Sequence, residues 1–233
     1  MGEESLAPCA GAPGGHGTMT ESAAATTKLV GGDPCVDFVN TVGGRVPRGA
    51  ASGAPSRVRD DKLGTYEDLL AWARHAGLLD EKATRELARH AGRRPREASR
   101  VLSRAVAGRE TLHHALSSLM AGRLPTPATL AALNAELGAV RGRERLVPAG
   151  DGLQWKPVGS GLLLDSVLWP VWRSAALLLT SGDASRLRRC KGEGCGWLFL
   201  DNSKNRSRRW CTMEDCGNVS KVRAFRDRRR RRS

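Results

Sequence analysis

Four of the six cysteines in this chain fall in one C-terminal block as two matched pairs, Cys190-x4-Cys195 and Cys211-x4-Cys216, with fifteen residues between the pairs. Thiolates are soft ligands and suit Zn²⁺ in a tetrahedron, with Zn–S of about 2.3 Å. A four-residue spacer lets each pair close a short knuckle around the ion. The intervening span lets a small hairpin return the second pair to the first, a spacing that reads as a zinc site. Four thiolates fill the coordination sphere and leave no position for water, so the expected zinc is structural and not catalytic. Two disulfides in an exported protein are the competing reading. Nothing else in the chain points to export.

The remaining candidates for chemistry are weaker. His113 and His114 are adjacent in a helical stretch, where neighbours face about 100° apart, so they do not form a joint metal site. Asp33, Asp37 and Asn40 either line a pocket or cap and decorate one helix, and capping is the expected role. Cys35 reads as a buried small hydrophobe. Trp155, Trp169 and Trp172 are expected in the core, with an apolar ligand site as the alternative. No phosphate-binding glycine loop or Ser/His/Asp order signature occurs, and the chain is not expected to be an enzyme.

Charge narrows the partner. The net charge is +14, and residues 184–233 carry 16 Lys and Arg against 5 Asp and Glu. That block therefore holds +11 of the total. A concentrated basic field attracts a polyanion. Arg outnumbers Lys 31 to 7 in much the same ratio throughout the chain, so only the local excess is evidence. The apolar stretch 161–179 contains Asp165, Pro170 and Arg173 and is a poor membrane span. Met1-Gly2-Glu3-Glu4 opens the sequence without an apolar segment, so a cytoplasmic, nucleoid-associated location is expected. Met19 is an alternative start, which would remove Cys9.

These residues need elements to position them. Residues 1–27 are rich in Gly, Ala, Ser, Thr and Pro, and a disordered tail is expected. A helical domain is expected over 28–182. Cys35–Thr41 reads as a short helix after the turn Gly31–Pro34. Residues 43–62 read as a polar loop. Thr65 and Asp80 are N-caps, Pro95 opens a long helix with Val101, Ala105, Leu112 and Leu116 in register, and Thr126-Pro127 starts another. Residues 145–147 and 153–155 flank a turn and read as a β-hairpin. One apolar helix is expected from Leu162 to Thr180, then a linker at 181–183. Residues 186–230 form the zinc module. In it, 187–190 and 197–200 are short strands, and glycines wrap the first knuckle. A helix follows Cys216, with Val219, Val222 and Phe225 expected against the zinc core. Lys221, Arg223, Arg226, Arg228 and Arg230 then point outward, and Arg206, Arg208 and Arg209 precede the third cysteine. The fold class is mainly α with minor β.

Cys195-Gly196-Trp197-Leu198-Phe199-Leu200-Asp201, Ser207-Arg208-Arg209-Trp210-Cys211 and Cys216-Gly217-Asn218 resemble the CGNR zinc-finger family. Gly31–Val42 resembles the opening of the ABATE domain that accompanies this finger. The resemblance spans about 28–230. It implies a bacterial DNA-binding transcription regulator with an N-terminal regulatory or ligand-sensing domain. It implies one structural Zn²⁺ on Cys190, Cys195, Cys211 and Cys216. The eight basic residues just named are the candidate DNA contacts. The family has Arg where this chain has Val219; if that Arg touches DNA, this chain lacks the contact or supplies it from Lys221 or Arg223. A small-molecule effector and a homodimer fit the reading. The alternatives are a zinc-thiolate redox switch, and an RNA-binding accessory protein stacking bases on Trp197, Phe199, Trp210 and Phe225.

Overall fold

The computed structural model describes residues 22–45, 60–159 and 161–230. Within them a helical body carries three two-stranded antiparallel ribbons. Helix α1 (Pro34–Val39) is short and buried, with Cys35, Val36, Phe38 and Val39 in the core. Asp33 caps it by accepting the Cys35 N–H at 3.0 Å, and Pro34 supplies the fixed φ of its first turn. Residues 22–27 extend the ordered body further upstream than composition suggests: Ala24 is fully buried, and Ser22 Oγ donates to Asp68 at 2.6 Å.

Helices α2 (Tyr66–His75) and α3 (Glu81–Arg93) start where the cap residues require, at a Thr65–Asp68 capping box and at Asp80. Helix α4 (Pro95–Met120) is the spine. Its buried stripe Ala98, Val101, Ala105, Gly108, Leu112 and Leu116 recurs at three or four residues, the helical period. Helix α5 (Pro127–Val140) packs on α4 and α6, with Leu133 buried.

The strands β1 (Val42–Gly43) and β2 (Asp60–Asp61) pair inside the region read as a polar loop. Arg109, almost fully buried in α4, holds this ribbon down. Its guanidinium reaches both Asp61 carboxylate oxygens at 2.7 Å and Thr41 Oγ1 at 3.1 Å. Arg45 grips Glu110 next to it at 2.6 and 2.9 Å. The hairpin β3 (Glu144–Ala149) and β4 (Gly152–Pro157) forms as expected. The single helix expected over 162–180 is instead a 3₁₀ turn (Leu164–Leu168) followed by α6 (Trp169–Thr180). Pro170 is the reason: it lacks an N–H and favours the start of a helix over its interior.

The candidate metal centre and its basic surface

Strands β5 (Leu187–Arg189) and β6 (Leu198–Leu200) frame the first knuckle in antiparallel register. Cys190 N–H donates to Trp197 O at 2.8 Å and Cys195 N–H to Gly192 O at 3.1 Å, closing the loop between them. Gly194 and Gly196 take φ of +73° and +74°, where side chains are disfavoured. Gly192 is required for space instead, since a Cβ there would lie 2.6 Å from Cys216 Sγ. Asp201 ties the following turn by accepting from Ser203 N at 3.0 Å and Arg208 N at 3.0 Å. Thr212 caps the π turn Met213–Gly217 that presents Cys216. Helix α7 (Asn218–Arg230) follows directly.

The four sulfurs converge within 4.8 Å of one another. Cys195 and Cys211 are 3.8 Å apart, and Cys211 and Cys216 are 3.6 Å apart. A tetrahedron with Zn–S of 2.3 Å has S···S edges of about 3.8 Å, so the donor set and its spacing fit one zinc ion. Cys190 Sγ accepts the N–H groups of Gly192 at 3.3 Å and Cys211 at 3.2 Å. Hydrogen bonds from Cys195, Cys211 and these backbone groups pull the Cys190 thiol well below its usual range. Phe199, Trp197 and Trp210 pack around the site. Among the described residues no other His, Cys, Asp or Glu group gathers into a metal-holding cluster. The rings of His113 and His114 are 5.9 Å apart, with no third ligand.

The module is built into the helical body. Leu187, Leu198 and Leu200 belong to the main core. Leu200 N–H donates to Gly31 O at 2.8 Å, and Trp197 Nε1–H to Val42 O at 3.0 Å. Asn40, Asp33 and Asp37 thus have structural partners. Asn40 clamps Leu198, Asp33 caps α1, and Asp37 accepts the Gly31 N–H at 2.7 Å. Burial raises the Asp37 carboxyl to about 6 against the opposing pull of that bond. Burial likewise pushes the Cys35 thiol up, which keeps it neutral, as a small core hydrophobe should be.

The expected nucleic-acid contacts divide. Lys221, Arg226, Arg228 and Arg230 are exposed on α7, and Arg206 and Arg209 are exposed before Trp210. Arg206 is the one described non-glycine residue at positive φ, +49°. Arg209 lies over the Trp210 ring at 5.1 Å. Arg223 is ion-paired with Glu193 of the first knuckle. Arg208 is used internally: it donates to the carbonyls of Trp210, Cys211 and Val30 and sits 4.3 Å over Phe199. The apolar face of α7 does not rest on the zinc core. Val219, Val222 and Phe225 are 60%, 51% and 54% exposed, because the π turn directs the helix away from the body. Of the four aromatics offered for base stacking, Phe199 is buried, and Trp197 and Trp210 are half-buried with their N–H groups bonded to Val42 O and Ser220 Oγ. That leaves Phe225 exposed and removes most support for RNA stacking.

Residues 32–182 match the model of the ABATE family, described as "Putative stress-induced transcription regulator". The chain belongs to the ABATE family. The CGNR zinc-finger model matches residues 186–229, the segment that carries the four converging sulfurs. A search of curated proteins returned no match. The ABATE segment supplies α1 to α6. Its Trp172 is in the core as expected, and so is Trp169, whereas Trp155 on β4 is 45% exposed. Trp155 and Trp169 line a cleft of about 690 Å³ under the β3–β4 hairpin. Arg173 spans its edge, pairing with Glu144 at 2.6 Å and lying 5.0 Å over Trp155. No helix among the described residues is long and apolar enough to cross a membrane.

Proposed function

We propose that this ABATE-family chain is a bacterial, nucleoid-associated DNA-binding transcription regulator. The carrying observation is the exposed row of cations on α7, a helix that begins two residues after Cys216 of the four-cysteine cluster. A basic helix can lie along phosphates or enter a major groove. Lys221, Arg226, Arg228 and Arg230, with Arg206 and Arg209, are the proposed contacts. Arg208 and Arg223 act in support, since both are engaged within the protein. Val219 stands exposed in the first turn of α7 and offers no cation there, and the nearest unengaged cation along the helix is Lys221. The zinc is structural and supplies no reaction step.

So short a finger reads few bases, and a homodimer would extend the site. The helical body is the regulatory part. The cleft lined by Trp155 and Trp169 is the seat we assign to a small-molecule effector. A salt titration of duplex binding tests the reading. We expect log K to fall linearly with log salt, by about 0.9 per phosphate neutralised. Absence of affinity for any duplex at low salt overturns it.

A further inference from the structure

The metal centre is not enclosed on every side. A cavity of about 380 Å³ lies between residues 23–28, the β1–β2 ribbon and the zinc module, and Cys195, Trp197 and Cys211 line it. Thr26 stands exposed at its margin, and the lining's two lysines, Lys28 and Lys62, are ion-paired with its two carboxylates, Asp215 and Asp60. Trp197 donates its Nε1–H to Val42 O, which ties this wall to the β1–β2 ribbon. Cys190 and Cys216 do not line the cavity. Cys190 carries two backbone N–H donors and Cys195 one, from Trp197, and such donors lower the nucleophilicity of a thiolate along with its basicity.

We propose that Cys195 and Cys211 form an oxidation site for hydroperoxides that enter through this cavity, and that joining them discharges the zinc. In the first step the Cys195 thiolate attacks the terminal peroxide oxygen. The O–O bond breaks, Cys195 becomes a sulfenic acid, and the alkoxide (hydroxide from hydrogen peroxide) takes a proton from water. In the second step the Cys211 thiolate, 3.8 Å away, attacks the sulfenic sulfur, and hydroxide leaves. Two thiolates have lost two electrons in total, and the peroxide is reduced to an alcohol or water. An S–S bond is about 2.05 Å long, so the sulfurs must close by under about 2 Å. Only Cys190 and Cys216 then remain as ligands. Helix α7, which follows Cys216, loses its metal anchor. This chemistry stands whether or not α7 binds DNA.

The test uses the zinc-loaded full chain, with hydrogen peroxide and cumene hydroperoxide as separate oxidants. Zinc release is followed with a chromogenic chelator, and the disulfides are mapped by non-reducing peptide mass spectrometry. The first linkage is expected to be Cys195–Cys211. Thr26→Trp, which fills the cavity margin, should slow release roughly tenfold, because oxidation follows access to the thiolate. Ala23→Trp, at another point of the lining, guards against a misfolded first variant. Release as fast as wild type in both folded variants overturns the proposal. A first disulfide that includes Cys190 or Cys216, the latter only 3.6 Å from Cys211, also overturns it.

Discussion

The Asn40 side chain grips both backbone groups of Leu198: its Nδ2–H donates to Leu198 O at 2.8 Å, and its Oδ1 accepts the Leu198 N–H at 2.9 Å. One amide at the end of α1 thus continues the β5–β6 ribbon into the helical body, and Asn40 is itself buried. Asn40→Ala removes both bonds. It should cost about 2–4 kcal/mol, since each buried polar group left unpaired costs about 1–3. Urea unfolding checks this, and a loss below about 1 kcal/mol would mean water replaces the clamp.

The zinc should stabilise more than its own module. Leu187, Leu198 and Leu200 are part of the main core, so unfolding the knuckles exposes the body as well. Chelation is expected to lower the helical melting transition, followed by circular dichroism, by at least about 5 °C. A helical transition that ignores the chelator would separate the two units.

Gly108 on α4 faces the buried Trp172. A Cβ there would lie 2.6 Å from Trp172 Cζ2, closer than atoms approach. Ala favours a helix over Gly by about 1 kcal/mol. Overpacking a fixed core costs about 1–3 kcal/mol, so Gly108→Ala should be net destabilising. A higher melting temperature would refute this.

Burial, then the charges of Arg45 and Arg189, hold the His113 imidazole down at about 3. An ordinary histidine titrates near 6.5. As pH falls from about 6.5 towards 3, the unfolded chain takes up a proton that the folded protein refuses, so stability declines across that window. Glu110 adds to the decline lower down. Its burial opposes the charge, but Arg45 and then Arg109 hold its carboxyl at about 2. Its contribution is complete above the ordinary 4.5 and is lost as pH falls towards 2. His113→Gln should recover about 1.6 kcal/mol of the difference between pH 6.5 and 5, at 1.36 kcal/mol per unit once the unfolded histidine, half protonated at 6.5, is fully protonated. Urea midpoints of both proteins at the two pH values measure it, and thiolate protonation is common to both. Equal slopes would refute the assignment.

Arginines on the two sides of Cys211 should separate by phenotype. Arg208→Ala removes bonds to three backbone carbonyls and a ring contact, and should lower stability and zinc retention. Arg226→Ala combined with Arg228→Ala should leave the melting curve in place. It should make the salt dependence of duplex binding shallower by about 2 in log–log slope. Reversal of these effects would contradict the placement of the side chains.

The local features were legible because their causes are local. Thr65, Asp80, Pro95 and Thr126-Pro127 start helices wherever they occur, and the four cysteines announce a site by spacing alone. Asn40 was readable only as a cap or pocket residue, because its partner lies 158 positions away. Arg109 and Arg45 gave no signal either, since a buried arginine is betrayed by distant carboxylates. The stripe Val219, Val222 and Phe225 has helical spacing, but spacing does not say what covers it, and here α7 points off the body. The acids of β2 looked like loop for the same reason: Asp61 belongs there because Arg109 waits beneath it.

The hydrogen bond from Leu200 N–H to Gly31 O bears on any attempt to transplant the finger. The two family matches meet between residues 182 and 186, which invites a cut there. A fragment excised at that point would carry Leu187, Leu198 and Leu200 into water, with one edge of its ribbon bare. Such a cassette is expected to associate or precipitate even when fully metallated. A portable version needs those three leucines replaced by polar residues, or must travel with residues 28–42 attached.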